Sequence, residues 1–187
     1  MSLNSWFRSL FAPKRAPAAD EPYDTSIRIH LPASLRRRLG DLTRRRPGRI
    51  EPLAILRTRY ASEDERRVII GCAAFALPDE AYVRASDAAA AFSTRWLIDR
   101  GNLELRTNAG MLLAHAHGGH GDPRFSSIDA RTNREVIARL SIGVDIAPYG
   151  AIVLSNDGAS AVVATGGYLE SARVIIVPDV DARGWSA

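Results

Sequence analysis

Residues 111–129 read Met-Leu-Leu-Ala-His-Ala-His-Gly-Gly-His-Gly-Asp-Pro-Arg-Phe-Ser-Ser-Ile-Asp. The apolar run 111–114 continues through His115, Ala116 and His117 as a strand pattern. The glycine-rich segment 118–125 reads as a loop, and residues from about Ser127 to Leu140 as a helix. On a strand, side chains at i and i+2 leave the same face, so His115 and His117 aim two imidazoles at one point. Three of the chain's four histidines fall within positions 115–120, and Asp129 brings back a carboxylate after the turn. Two histidines, one carboxylate and an open fourth position describe a hydrolytic zinc site, because a structural site is closed by four protein ligands. His120 reads as a loop histidine outside the ligand set.

Working outward, Ser26–Leu31 alternates as a strand, and a helix from about Ser34 to Arg46 carries Leu35, Leu39 and Leu42 at helical spacing before Pro47-Gly48. Residues 51–60 and 68–75 read as a pair of strands joined by the charged turn 62–66. Residues 78–83 are expected as loop or strand edge. Residues 85–100 are expected as a helix capped by Ser86 or Asp87 with Phe92, Trp96 and Leu97 inward. Further on, 151–155 and 161–164 flank Asn156-Asp157-Gly158, a hairpin turn, and 173–177 is a last strand. The mixture predicts an α/β (α+β) domain over 26–187. Residues 1–25, with Trp6, Phe7, Leu10 and Phe11 followed by prolines and alanines, form a flexible leader or a partner-docking segment.

Composition narrows the function classes. The chain has 187 residues, 46% hydrophobic and 25% charged, as in ordinary globular proteins. Its single cysteine, Cys72, excludes an internal disulfide framework and any Cys₄ or Cys₂His₂ zinc knuckle. In its apolar run, Cys72 is expected to be a buried, inert thiol. No apolar stretch approaches the ~20 residues of a membrane span. Of the 25 basic residues only Lys14 is lysine, and residues 34–49 hold seven arginines against Asp41 alone. That patch carries +6, so the rest of a chain of net charge +4 stands at −2. Without interleaved aromatics the patch reads as a solvated helix face or a contact for an acidic protein, and nucleic acid is not an expected partner.

The order His-x-His, then Ser-x-x-Asp over Ser126–Asp129, with Glu51 standing 64 positions before His115, resembles the JAMM (JAB1/MPN/Mov34) metalloprotease family. The resemblance spans about residues 26–165. Three departures stand out. The loop 118–125 is one residue longer than the family's usual spacing, and Gly118 stands where the family commonly has proline. Pro52-Leu-Ala-Ile-Leu56 also replaces the family's glycine-rich continuation after the glutamate.

The resemblance implies a JAB/MPN-like mixed β-sheet flanked by helices, in a cytidine-deaminase-like sandwich. It implies Zn²⁺ on His115, His117 and Asp129, Glu51 as general acid/base and Ser126 as oxyanion support, with Ser127 left to cap the helix. The implied activity is that of a deubiquitinase-like isopeptidase or peptidase acting at the C-terminus of a ubiquitin-like protein. The tail would lie extended beside a sheet edge. Such bacterial proteins accompany activating and conjugating enzymes in antiviral operons, so a cytoplasmic location is expected. The alternatives are a non-catalytic scaffold of the same family and a protein that binds nucleic acid through residues 36–49.

Overall fold

A computed structural model of the chain describes residues 27–44, 52–61, 67–86, 89–105, 109–140, 147–165 and 168–179. The leader 1–25 and the turn 62–66 lie outside them. Nine strands are described: β1 (Ile27–Pro32), β2 (Ala54–Tyr60), β3 (Val68–Ala76), β4 (Tyr82–Ser86), β5 (Ala89–Phe92), β6 (Gly110–Ala116), β7 (Tyr149–Leu154), β8 (Ala159–Thr165) and β9 (Tyr168–Val177). The helices are α1 (Ala33–Leu42), α2 (Thr94–Leu105) and α3 (Ser127–Leu140), with a 3₁₀ turn at Asp79–Ala81.

Seven of the strands close into a barrel in the order β1-β3-β2-β6-β7-β8-β9, while β4 and β5 form a separate two-stranded ribbon. The seam is the parallel pair β1–β9, in which Ile29 stands opposite Val174. This overturns the expected JAB/MPN-like sandwich of a sheet between helices. Each strand of the barrel was legible from its own pattern, but a sheet and a barrel differ in whether the first and last strands pair, and no local period records that. Closure also removes the free sheet edge along which the substrate tail was expected to lie. Only the ribbon keeps open edges among the described strands.

Side-chain parity divides the core in two. One buried cluster draws a residue from every strand of the barrel, so it is the interior: Ile29, Leu56, Ile69, Leu112, Ile152 and Val163 among them, with Leu39 of α1. Alanines at 54, 74, 114, 161 and 172 share that space, which keeps a narrow barrel fillable without overpacking. The alternate residues Ile55, Met111, Leu113, Tyr149 and Ala151 form a second cluster with Leu97 of α2. The outer face of β6 and β7 is therefore covered by α2 and α3, whereas Arg28, Arg59, Cys72 and Arg173 on the remaining strands are exposed. Among the described residues, α2 and α3 cover the β6–β7 flank, while α1 packs chiefly on β3 with Leu39 in the interior.

Two local corrections follow. Residues 85–100 are not one helix: β4 and β5 pair through Ser86 and Ala89, and α2 starts only at Thr94, with the Ser93 hydroxyl accepting the Trp96 N–H at 3.2 Å. Four consecutive alanines carry no period, and the cap at Ser93 is the signal that places the helix start. Helix α1 stops at Leu42, where buried Thr43 turns its hydroxyl onto the Leu39 carbonyl at 2.7 Å. Its N-terminal flank, Pro32, supplies no side-chain cap. Asp179 does so instead, accepting the Ser34 N–H at 2.8 Å.

At the far end of β6 from the histidines, buried Glu104 of α2 meets Arg57 of β2 at 2.8 Å and also Arg100. Burial first, and then the Glu104 charge, push the Tyr149 phenol up to about 12. No helix among the described residues is long and apolar enough to cross a membrane.

Candidate metal centre

Strands β6 and β7 run parallel, with His115 opposite Val153 and Ala116 opposite Leu154. Beyond the strand end, His117 stays extended because its N–H donates to the Leu154 carbonyl at 2.8 Å. Both imidazoles therefore leave the outer face, the parity of Leu113, while Leu112 and Ala114 point into the barrel. The first turn of α3 brings Asp129 to them.

His115 Nε2 and His117 Nε2 are 3.2 Å apart. Asp129 Oδ1 is 3.5 Å from the first, and Oδ2 is 3.4 Å from the second. Atoms bound to zinc at ~2.0–2.1 Å with tetrahedral angles are about 3.3–3.4 Å from one another. The three edges match that triangle. A pair of ring nitrogens this close shares either a proton or a cation. The His115 side chain is 10% exposed, Asp129 21% and His117 32%, so the open fourth position lies toward His117. Among the described residues no other cluster of three His, Cys, Asp or Glu converges in this way. His120 and Asp122 both stay outside it.

The Asp129 carboxyl is suited to a cation. Burial alone would push it up, but hydrogen bonds from the Ser126 side chain and backbone, with His115 and His117 adding to them, hold it below its ordinary value. The geometry around it is a reciprocal cap. The Ser126 N–H donates to Asp129 Oδ2 at 2.8 Å, and the Asp129 N–H donates to Ser126 Oγ at 3.1 Å. The expectation that Ser127 would cap α3 is corrected: Ser126 is the cap, and its oxygen already accepts one bond.

Glu51 lies outside the described residues. The described start of β2 stands beside the site, since Ala54 pairs with Ala114, the neighbour of His115.

The loop after His117 is stapled rather than slack. Gly121 N–H donates to Asp157 Oδ1 at 2.7 Å, Ser155 Oγ donates to the Gly121 carbonyl at 2.6 Å, and Asn156 N–H donates to the Gly119 carbonyl at 3.0 Å. His120 Nδ1 lies 3.3 Å from Asp157 Oδ2. Gly119 and Gly121 take φ of +103° and +78°, values that favour glycine. Arg36 of α1 reaches the far side of the same turn, donating to the Ser155 carbonyl at 2.5 Å and the Gly158 carbonyl at 3.3 Å. Sequence reasoning found the turn and the arginines separately. What it missed is that Ser155 and Asp157 bond the loop that follows His117 while Arg36 holds the far side of their turn, pairings across more than 30 residues with no local signature.

The arginine patch is partly internal structure. Arg38 donates to the Ala74 carbonyl at 2.8 Å. Arg37 and Arg44 sit by Asp179 and Asp41 at 3.4 and 2.9 Å on the surface. Arg45, Arg46 and Arg49 lie outside the described residues. Cys72, expected to be buried, is exposed, though its sulfhydryl folds back toward the Ile70 carbonyl at 3.5 Å. Partial burial raises its pKa against the pull of Arg59 and Arg57, leaving a protonated thiol that is a poor nucleophile.

No family model matches the chain, and no curated protein does. Among solved structures, the chain is similar to the solution structure of protein DSY2949 from Desulfitobacterium hafniense, a structural-genomics target. The two are 14% identical with a TM-score of 0.48, over 82% of this chain and 95% of that one. A likeness this distant says nothing of what either protein does.

Proposed function

We propose that this chain is a zinc-dependent peptidase or isopeptidase using JAMM-type chemistry on a barrel of its own. The observation that carries the reading is the triangle of His115 Nε2, His117 Nε2 and Asp129 carboxylate, with edges of 3.2–3.5 Å. Zinc held there supplies a nucleophile at neutral pH and a Lewis acid for the scissile carbonyl. Glu51 takes the proton released on attack and returns it to the leaving amine. The Ser126 hydroxyl would turn the proton it shares with the Asp129 carboxylate toward the developing oxyanion, while the Ser126 N–H keeps its 2.8 Å bond to Asp129 Oδ2. Asp129 stays ionised through Ser126, so it needs no proton loss on binding the metal.

The substrate of this reading is the C-terminal tail of a ubiquitin-like protein, as a precursor extension or joined to a target, in a bacterial conjugation system of the cytoplasm with activating and conjugating enzymes. With the barrel closed, the β4–β5 ribbon is what the described strands leave for strand addition. That ribbon is tied to the entry of β2 by Tyr82 Oη, which accepts the Leu53 N–H at 2.9 Å.

The test uses the full chain, purified without added metal. Elemental analysis is expected to find zinc at one per chain in the wild type and none in His117→Ala. A ubiquitin-like protein encoded beside this gene, fused through its C-terminus to a fluorescent protein, is expected to be cleaved by the wild type and not by Glu51→Gln. Cleavage that survives complete chelation, or that is equal in Glu51→Gln, overturns the mechanism.

A further inference from the structure

A cleft of about 710 Å³ opens between α1 and the C-terminal ends of β6 and β7. That volume lies in the ~300–1,000 Å³ range of binding sites, enough for a short peptide segment and too small for a folded partner. One wall is α1 and its exit, with Arg36, Arg37, Asp41 and Arg44; the other includes His117 and Gly118. Its inner end is therefore a proposed zinc ligand, and its outer wall carries three cations against one carboxylate.

The cations differ in what they are free to do. Arg36 is committed to the carbonyls of Ser155 and Gly158. Arg37 and Arg44 keep 71% and 73% of their side chains exposed, beside the exposed carboxylates of Asp179 and Asp41. Such solvent-facing pairs are worth little and exchange readily for a better-placed anion. Among the described residues no Phe, Tyr or Trp lines the cleft, so they offer no stacking platform of the kind found in single-strand nucleic-acid grooves. At Gly118 an added Cβ would meet nothing within 4 Å, which leaves room for a substrate backbone beside His117.

We infer that this cleft binds acidic residues flanking the scissile bond of a peptide substrate, with Arg37 and Arg44 as the specificity-determining cations. The inference rests on the reading of His115, His117 and Asp129 as a hydrolytic centre. It adds a charge preference that the ligand set does not supply.

The experiment is fluorescence anisotropy of the zinc-loaded full chain with fluorescein-labelled Gly-Gly-Glu-Glu-Gly-Gly, its Lys-Lys counterpart and a short oligothymidylate. Zinc content is measured on the same samples. The acidic peptide is expected to bind about tenfold more tightly than the lysine peptide at low salt, with the gap closing at high salt. The double variant Arg37→Glu/Arg44→Glu is expected to remove or invert the preference with zinc content unchanged. Both positions are exposed, and Arg44→Glu alone, expected to halve the preference or more, serves if the double variant does not fold. Equal affinity for the two peptides, no effect of either variant, or oligothymidylate displacing the acidic peptide overturns the inference while zinc binding stands. Arginine-dependent binding in a chain that takes up no zinc overturns the hydrolytic reading instead, and with it the place of the cleft beside a scissile bond.

Discussion

Replacing Gly158 by alanine tests the staple between the loop that follows His117 and the β7–β8 turn. A Cβ there would lie 2.3 Å from the Gly121 carbonyl oxygen and 2.8 Å from its carbon, so turn and loop must part. Three bonds cross that contact: Ser155 Oγ to Gly121, Gly121 N–H to Asp157, and Asn156 N–H to Gly119. At about 0.5–1.5 kcal/mol each, with water re-pairing the exposed partners, losing two or three costs about 1–3 kcal/mol. A glycine-to-alanine change also narrows the unfolded ensemble, an opposing gain of about 0.4–1 kcal/mol. The net is a loss of about 1–2 kcal/mol, read from urea denaturation of the zinc-free protein. Zinc affinity should fall with it, because the displaced loop follows directly on His117. Gly118→Ala is the matched control: its Cβ meets nothing within 4 Å, so it should be neutral or stabilise by up to about 1 kcal/mol. A Gly158→Ala protein as stable as the wild type, with unchanged zinc affinity, would refute the reasoning.

Removing one ligand, as in Asp129→Ala, should lower zinc affinity by at least about 100-fold, since two imidazoles alone leave an incomplete site; competition with a chromogenic chelator reads this. Glu104→Ala should cost about 2–4 kcal/mol in thermal or urea unfolding by stranding Arg57 and Arg100. Zinc stoichiometry should not change, because Glu104 pairs with Arg57 opposite Met111, four residues or about 13 Å along β6 from His115. Asp157 gives a pH signature. The Gly121 N–H first, and then His120, hold its carboxyl below the usual value. A depressed folded pKa contributes stability above the unfolded value, lost as pH falls through the folded one. Asp157→Asn should therefore be less stable than wild type at neutral pH, and the two unfolding midpoints should converge in acid below about pH 4.

The readable parts of this chain were those set by period and spacing over a few residues. The alternation at 26–31, the apolar run into His115, and Asn156-Asp157-Gly158 between two apolar runs each fell within a residue or so of where the structure has them. The His-x-His and Ser-x-x-Asp elements could be placed on one site because strand parity and a helix's first turn fix directions locally. The ribbon at 82–92 was hidden by an alanine run that suits helix and strand alike. The barrel was hidden for a different reason: Ile27 to Pro32 read the same whether their outer neighbour is water or β9. Cys72 was misplaced because β3 alternates about a run in which nearly every residue is apolar, leaving parity ambiguous.

The seam between β1 and β9 also orders events during synthesis. Ile29 and Val174 face each other across 145 residues of sequence, so the ring cannot shut until β9 has been made, and that late pairing bears the largest loop-closure entropy in the barrel. The proposed metal ligands are spread over positions 115–129 only. Their strand, its parallel neighbour β7 and the turn that staples the loop have all been made while β1 still presents an unpaired edge to the ribosome's surroundings. On the proposed zinc reading, all three ligands exist before the barrel can close, so zinc taken up by the nascent chain would precede the seam.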